Sequence, residues 1–310
     1  MKQIIRSILD TDLYKLTMAQ AVIQNFPRLK VRYKFIDRNN TVYPDNFDNL
    51  LKDQVNHMES LFLTKDEKKF LTNKCGDFLT PTYIDFLEGF RYNSSELDIK
   101  LDNENHLDIT IEGYWYRTIN WEVVLMGLIS ELYFKVTNQI VDLEKFTEND
   151  TIKLNKMIYH NAYFADFGTR RRYSFENQER VVKLFSTTPN NIFVGTSNVH
   201  LAHKYNIKPI GTLAHEWIMV HASIYGYKMS NKISMDNWIN IYEGRLGTML
   251  VDTFTTDVFL KSFNSKYARL FDGVRHDSGS AFYFVDKVVN HYKKLGIDPM
   301  SKTIIFSDGL

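Results

Sequence analysis

Three short motifs hold residue types that could do chemistry. Asp166-Phe167-Gly168-Thr169-Arg170-Arg171-Arg172 sets three adjacent guanidinium groups behind an apolar run. Each guanidinium is a rigid fork of donors, so the trio suits an anion rich in oxygen, a phosphate or a carboxylate. A solvated helix start is the plainer explanation, but arginine there opposes the helix dipole, which favours acids at that end. Anion binding is the better expectation. Gly211-Thr212-Leu213-Ala214-His215-Glu216-Trp217 puts a histidine at a strand-to-helix turn, where backbone amides favour an anion. A zinc-protease HExxH reading fails because position 219 is Met219, and His221 lies about 240° around a helix from His215. Arg275-His276-Asp277-Ser278-Gly279 places a cation and a carboxylate two apart, hence on one side of a strand. Such a pair could grip the anionic and the hydroxylated or metal-bound parts of one ligand; a structural salt bridge is the equal alternative. His200 and His203 have no third ligand nearby, which favours a surface helix over a metal site.

These motifs depend on the elements that hold them. After an apolar helix over residues 123–133, short β-rich runs alternate with helical patterns, which argues for βα units and parallel strands. Six runs fit: NAYFADF, NIFVG, IKPIG, TMLVDTF, RLFDGVRHD and KTIIFSD, with helical segments at 172–184, 199–205, 214–225 and 281–295. Every run stops in a polar cluster (GTRRR, GTSN, GTLAHE, TFTTD, RHDSGS, SDGL), and the carboxyl ends of strands are where barrel and open α/β folds hold their chemistry. Turn and capping needs explain any one cluster but not six on one face. A closed barrel needs eight strands, so residues 136–310 read as an irregular, incomplete (β/α) barrel truncated after about six strands. Its last strand would need cover from another chain or a swapped element.

Residues 1–135 read as an N-terminal α+β domain in an α/β chain. Leu13, Leu16, Ala19, Val22 and Ile23 recur at helical spacing within 10–25, predicting an amphipathic helix. KVRYKFIDRN, LDIKLD and LDITIEGYW alternate as antiparallel strands, with helical stretches at 46–60, 65–79 and 82–87 between them.

The 310 residues are 44% hydrophobic and 24% charged, enough to bury a large core. Lys plus Arg (38) and Asp plus Glu (37) nearly cancel, leaving no footprint for nucleic acid or an acidic membrane. Cys75 stands alone, which excludes an internal disulfide, a thiolate zinc site and a CxxC pair. With no signal-like start and no 18-residue apolar run, a cytoplasmic protein is expected.

Taken together, ILDTDLYKLTMAQ, FADFGTRRRYSFENQERVV, FVGTSNVHLA, PIGTLAHEW, FDGVRHDSG and LGIDPMSKTIIFSD resemble the nicotinate phosphoribosyltransferase family over almost the whole chain, in order and at sensible spacing. The resemblance implies an N-terminal domain on an irregular barrel, usually a homodimer, that opens NAD salvage. Nicotinate and phosphoribosyl pyrophosphate would give nicotinate mononucleotide and pyrophosphate, with Mg²⁺ and with ATP hydrolysis coupled through a phosphohistidine. It makes His215 the phosphohistidine acceptor and Thr212 a lining residue of the same pocket. Phe167 and Tyr14 resemble the aromatic pair that sandwiches the pyridine ring, Tyr14 coming from the neighbouring subunit. Arg170 or Arg171 would bind the nicotinate carboxylate or phosphates, and Arg275 and Asp277 the phosphoribosyl substrate and its charge. No metal ligand is assigned directly.

Nicotinamide-using relatives have a carboxylate in the loop matching Gly195-Thr196-Ser197-Asn198. Here the loop is neutral, and Ser197 favours the acid because a carboxylate would repel it. Two departures stand out. Ser280 replaces the acid usual after RHDSG, a change expected to weaken metal or ribose binding, and the glycine-rich phosphate loop of the family has no counterpart before Leu310. The rival expectation is a non-catalytic, truncated member that acts as a binding or dimerisation fragment.

Overall fold

Helix starts in this chain are written mostly in threonine, serine and asparagine, and most of those side chains take up an otherwise orphaned amide, Asn46 and Asn120 excepted. Thr64 forms a full capping box with Glu67, Thr80 caps a helix whose first residue is Pro81, and Ser174, Asn198, Thr255 and Ser280 each accept from an amide three residues on. The structure is a computed structural model, describing residues 2–188 and 191–307. It forms two compact units, residues 1–211 and 212–310.

The first unit begins with α1 (Leu13–Asn25), β1 (Lys30–Lys34), α2 (Phe47–His57), α3 (Lys65–Cys75), α4 (Pro81–Gly89), β2 (Leu97–Leu101), β3 (Leu107–Tyr114), α5 (Trp115–Thr118) and α6 (Trp121–Val136). The strands form an antiparallel sheet in the order β1-β3-β2, with Tyr33 opposite Ile111 and Ile99 opposite Ile109. The amphipathic expectation for α1 does not hold: Leu13 through Val22 are all buried, polar residues included. Its polar side chains find partners instead of water. Gln20 donates to the Phe78 carbonyl at 2.7 Å and accepts from the Thr80 amide at 2.7 Å, and Lys15 pairs with Glu122.

The unit continues through α7 (Leu143–Tyr159), β4 (Phe164–Asp166), α8 (Phe175–Ser186), β5 (Phe193–Thr196) and α9 (Val199–Lys204). β4 and β5 pair in parallel. The N-terminal segment lies along the end of β5: the Leu13 amide donates to Ser197 O (2.8 Å), Val199 to Thr11 O (3.0 Å) and His200 to Leu9 O (2.8 Å). That ladder explains why the compact unit runs on to residue 211, past the change of sequence pattern near 135.

The second unit contains α10 (His215–Tyr225), α11 (Tyr227–Tyr242), β6 (Thr248–Leu250), α12 (Thr256–Ser262), α13 (Ser265–Leu270), β7 (Gly273–His276), α14 (Ala281–Lys294) and β8 (Thr303–Phe306). β6, β7 and β8 form one parallel sheet in that order. The described residues form an α/β structure with no closed barrel, in keeping with an incomplete one. Five of the six expected barrel runs are strands. The sixth, IKPIG, makes only an isolated bridge from Pro209 to Thr196. Its hydrogen bonds to β5 are Thr196 N to Lys208 O and Ile210 N to Thr196 O, and Pro209 has no amide to donate on the opposite edge. The SDGL cluster beyond Ser307 lies outside the described residues. No helix among the described residues is long and apolar enough to cross a membrane.

Candidate active site

The three arginines of the first motif do not act together. Residues 169–171 form a single 3-10 turn, Arg172 is extended, and α8 begins only at Phe175 behind the Ser174 cap. The expected conflict between arginine and a helix dipole therefore does not arise at this site. Arg172 is consumed internally: its two terminal nitrogens donate to both oxygens of Asp10 at 2.7 and 2.9 Å, and its Nε lies 3.4 Å from Glu131. Burial opposes the Asp10 charge, but Arg172 and a donor from Asn198 overrule it and hold that carboxyl below its usual range. Arg170 donates to Glu122 at 3.0 Å, and Glu122 also takes the buried Lys15 ammonium. Tyr14 first, and then Glu122 and Asp12, raise the Arg170 pKa against the opposing effect of its burial. Arg171 is exposed and has no ion pair among the described residues. It keeps its whole donor fork available.

Around the β4 and β5 ends the hydroxyl-rich turns are wired to carboxylates. Asp166 accepts from Thr196 Oγ1 at 2.7 Å, from Gln178 at 3.0 Å and from the Gly168 amide at 3.0 Å. Gly195, at φ +143°, brings the chain so close to Lys208 that a Cβ would sit 2.1 Å from its carbonyl oxygen. Ser197 is fully buried and donates to Asp12 at 2.7 Å, so the neutral loop is backed by a carboxylate that the loop sequence does not reveal. Burial pushes Asp12 up to about 6 despite that hydrogen bond. Phe167 is 47% exposed, whereas Tyr14 is only 6% exposed.

The second unit builds a tighter constellation. His215, the first residue of α10, has Nδ1 3.1 Å from Thr253 Oγ1 and Nε2 3.1 Å from Asp277 Oδ2. Asp277 also takes Arg275 at 3.1 Å, as the two-residue spacing on β7 requires, and a donor from Ser307. Burial would raise its pKa, but the hydrogen bonds from His215 and Ser307 and the Arg275 charge hold it far below the usual range. An ionised carboxylate only accepts, so His215 Nε2 carries a proton, and in the neutral ring the lone pair falls on Nδ1, facing the Thr253 hydroxyl. Thr212 donates to the Thr248 carbonyl at 3.2 Å.

Asp252 was not singled out from the sequence, nor was Thr253. Asp252 Oδ2 accepts from the Asp277 amide at 3.1 Å and from Ser278 at 2.6 Å, while its Oδ1 is buried without a hydrogen bond, 3.9 Å from His215 Nε2. The available signal was the aspartate that immediately precedes the TFTTD cluster. Ser280 is the cap of α14, accepting from the Tyr283 amide. Serine is among the best residues for that position, so Ser280 keeps the helix start intact.

Three other histidines have structural roles. His221 is buried, donates to Trp217 O at 2.7 Å and accepts from Asn237 at 2.9 Å, and burial lowers its pKa to about 4. His203 meets Asp66 at 2.9 Å and His200 lies 3.8 Å from Glu67, which ties α9 to α3. Among the described residues no group of three or more His, Cys, Asp or Glu side chains converges as a metal site.

Residues 162–310 match the Nicotinate phosphoribosyltransferase (NAPRTase) family, and residues 9–130 match the NAPRTase N-terminal domain. The chain belongs to the nicotinate phosphoribosyltransferase family. It is 48% identical over 307 residues to a nicotinate phosphoribosyltransferase of Desulforapulum autotrophicum, a match covering 99% of this chain and 78% of that relative. The crystal structure of the Porphyromonas gingivalis nicotinate phosphoribosyltransferase superposes with a TM-score of 0.96 at 46% identity, covering 99% of this chain and 79% of that one. The Vibrio cholerae nicotinate phosphoribosyltransferase gives 0.92 at 32% identity, covering 99% and 74%. Both family regions include the residues described above: Tyr14 and Asp12 fall in the N-terminal match, and the 166–172 motif, His215 and Asp277 in the other.

Proposed function

We propose that this chain joins nicotinate to phosphoribosyl pyrophosphate, and that it couples ATP hydrolysis to the transfer through phosphorylation of His215. The observation that carries the reading is the orientation of His215 between Thr253 and Asp277 in a member of this family. With the proton held on Nε2 by Asp277, Nδ1 attacks the γ-phosphorus of ATP as the Thr253 hydroxyl turns aside. The bond to the bridging oxygen breaks and ADP leaves with that electron pair. Asp277 stabilises the positive ring that results, and water later cleaves the phosphorus–nitrogen bond to release phosphate and restore the imidazole.

In the transfer itself the pyridine nitrogen of nicotinate bonds to the anomeric carbon as pyrophosphate departs with the electrons of the broken bond, through an oxocarbenium-like transition state. Arg275 and Asp277 hold the phosphoribosyl group, and Thr212 lines the same pocket. Arg171, with its donor fork free, and Arg170 take the nicotinate carboxylate or the phosphates. Phe167 and Tyr14 enclose the pyridine ring, with Tyr14 supplied across a homodimer, and the Ser197 loop, whose hydroxyl stands between the ligand and the Asp12 carboxylate, admits the acid.

The oxygen donors of the second unit fit Mg²⁺, which takes one or two carboxylates and completes its shell with water and substrate phosphates. Asp252, with an unsatisfied buried oxygen, and Asp277 would hold the ion, which when bound neutralises charge on the departing pyrophosphate. On this reading the enzyme is cytoplasmic and starts NAD salvage.

The test is to incubate the chain with nicotinate, phosphoribosyl pyrophosphate and Mg²⁺, with and without ATP, and to follow nicotinate mononucleotide, running nicotinamide and His215→Ala in parallel. ATP-stimulated product from nicotinate alone, with the stimulation lost in His215→Ala, is the expected result. ATP consumption in step with product by His215→Ala would sink the coupling. A folded chain that binds nicotinate without turnover would sink the activity and favour the non-catalytic rival. Sedimentation velocity tests the dimer.

A further inference from the structure

A charged cleft that shares no lining residue with the histidine constellation lies in the same unit. One face of α12 presents Asp257, Leu260 and Lys261, and one face of α14 presents Lys287, His291 and Lys294, around a cleft of about 670 Å³. The sequence spacing makes this possible: positions 257, 260 and 261, and 287, 291 and 294, each fall on a single helical stripe. Two contacts fix the walls. His291 Nε2 donates to the Phe263 carbonyl at 2.6 Å, and Lys287 pairs with Asp257 at 3.0 Å.

That ion pair uses up the cleft's one carboxylate. Lys261 and Lys294 are exposed and have no ion pair among the described residues, so the cleft carries an excess of two positive charges. The dipole of each helix accounts for a lysine in its own last turn, but not for the open space between them. The cations are ammonium point charges rather than planar forks, which suits tetrahedral phosphate oxygens better than bidentate carboxylate. The residues lining the cleft include no Phe, Tyr or Trp to stack a base. We propose that the cleft between α12 and α14 is a binding site for a short polyphosphate chain, read through its phosphates and not through any attached nucleoside. The proposal goes beyond the transfer reaction and does not depend on it.

Inorganic tripolyphosphate is the probe, titrated into the full chain while the His291 ring is followed by NMR and assigned with His291→Gln. A saturable shift is expected, weakened about tenfold or more in Lys261→Glu/Lys294→Glu and kept within about threefold in Lys261→Arg/Lys294→Arg. ATP should move the same signal as tripolyphosphate does, and adenosine should not. Both lysines are exposed, so the melting temperature of each double variant should match the parent and certify the fold. Three results would each overturn the proposal: no shift at millimolar tripolyphosphate, an equal shift from sodium sulfate at matched ionic strength, or a shift that survives the charge reversal. An ATP response that adenosine reproduces would overturn the phosphate-only recognition.

Discussion

Two adjacent arginines in nearly opposite surroundings permit a sharp experiment. Arg172→Ala removes a guanidinium held 2.7 and 2.9 Å from the two Asp10 oxygens, with both side chains only 1% exposed. Asp10 keeps the Asn198 donor at 2.8 Å but loses the cation that offsets its burial, and Glu131 loses a cation 3.4 Å away. Removing one partner of a buried pair costs about 3–5 kcal/mol, because the other charge is left stranded. The guanidinium also lies 5.2 Å over the Phe175 ring, so lost packing moves the cost towards the upper end. In a unit of 211 residues each kcal/mol lowers the midpoint by about 2–4 °C, which gives a fall of about 6–20 °C. Arg171→Ala removes the same chemistry one residue away, from an exposed position, and should move the midpoint by less than about 2 °C. Thermal melts by circular dichroism, checked by urea midpoints, read both. A melting temperature for Arg172→Ala within about 2 °C of the parent, or an equal fall for Arg171→Ala, would refute the reasoning. Combining Asp10→Asn with Arg172→Met should recover stability relative to Arg172→Met alone, since no charge is then stranded.

Asp12 titrates in the opposite sense, its folded pKa of about 6 lying above the unfolded value of about 3.9. The stability it contributes is present below about pH 4 and is lost as pH rises through about 6. Asp12→Asn keeps an acceptor for Ser197, so it should match the parent at pH 4 and exceed it at pH 7 by up to about 3 kcal/mol; urea midpoints that differ equally at both pH values would contradict this. Gly195→Ala, forced to φ +143° with its Cβ 2.1 Å from Lys208 O, should lose about 2 kcal/mol or more in the same melts. Asp277→Asn replaces an obligate acceptor with a group that can also donate, so His215 no longer has its proton fixed on Nε2. Phosphate incorporation from ATP should fall about a hundredfold or more, and unchanged labelling would count against the assigned tautomer. Cys75 is fully buried and burial pushes its thiol up to about 12, so a disulfide reagent should modify it only at the rate of local or global opening.

Much of the site was legible because strand ends advertise themselves. RHDSG and GTLAHEW kept Arg275, Asp277 and His215 at positions where a parallel sheet displays its loops, and those residues do meet. Asp252 escaped because a single acid at the end of an apolar run looks like any turn residue until its neighbour strand is known. The arginine trio misled for a related reason: the partners of Arg172 are Asp10 and Glu131, remote in sequence, and no local pattern distinguishes a buried guanidinium from a displayed one. Among the elements, α11 carried no apolar stripe strong enough to notice. Its buried face is Ser230, Asn231, Ser234, Met235, Trp238 and Tyr242, small and polar for half its length, and the hydroxyls of Ser230 and Ser234 are satisfied by carbonyls of their own helix. IKPIG failed in the other direction: its apolar pattern is real, yet it makes a single bridge to β5.

The ladder that ties residues 9–13 to residues 197–200 also sets the timetable of synthesis. Ser197 is made 185 residues after Asp12, and at about 5–20 residues per second the nascent chain holds that carboxylate in water for roughly 10–40 s before its partner exists. Arg172 reaches Asp10 only after 162 residues. Residues 10–12 are thus locked only once residues 172–197 have emerged, long after they are themselves made.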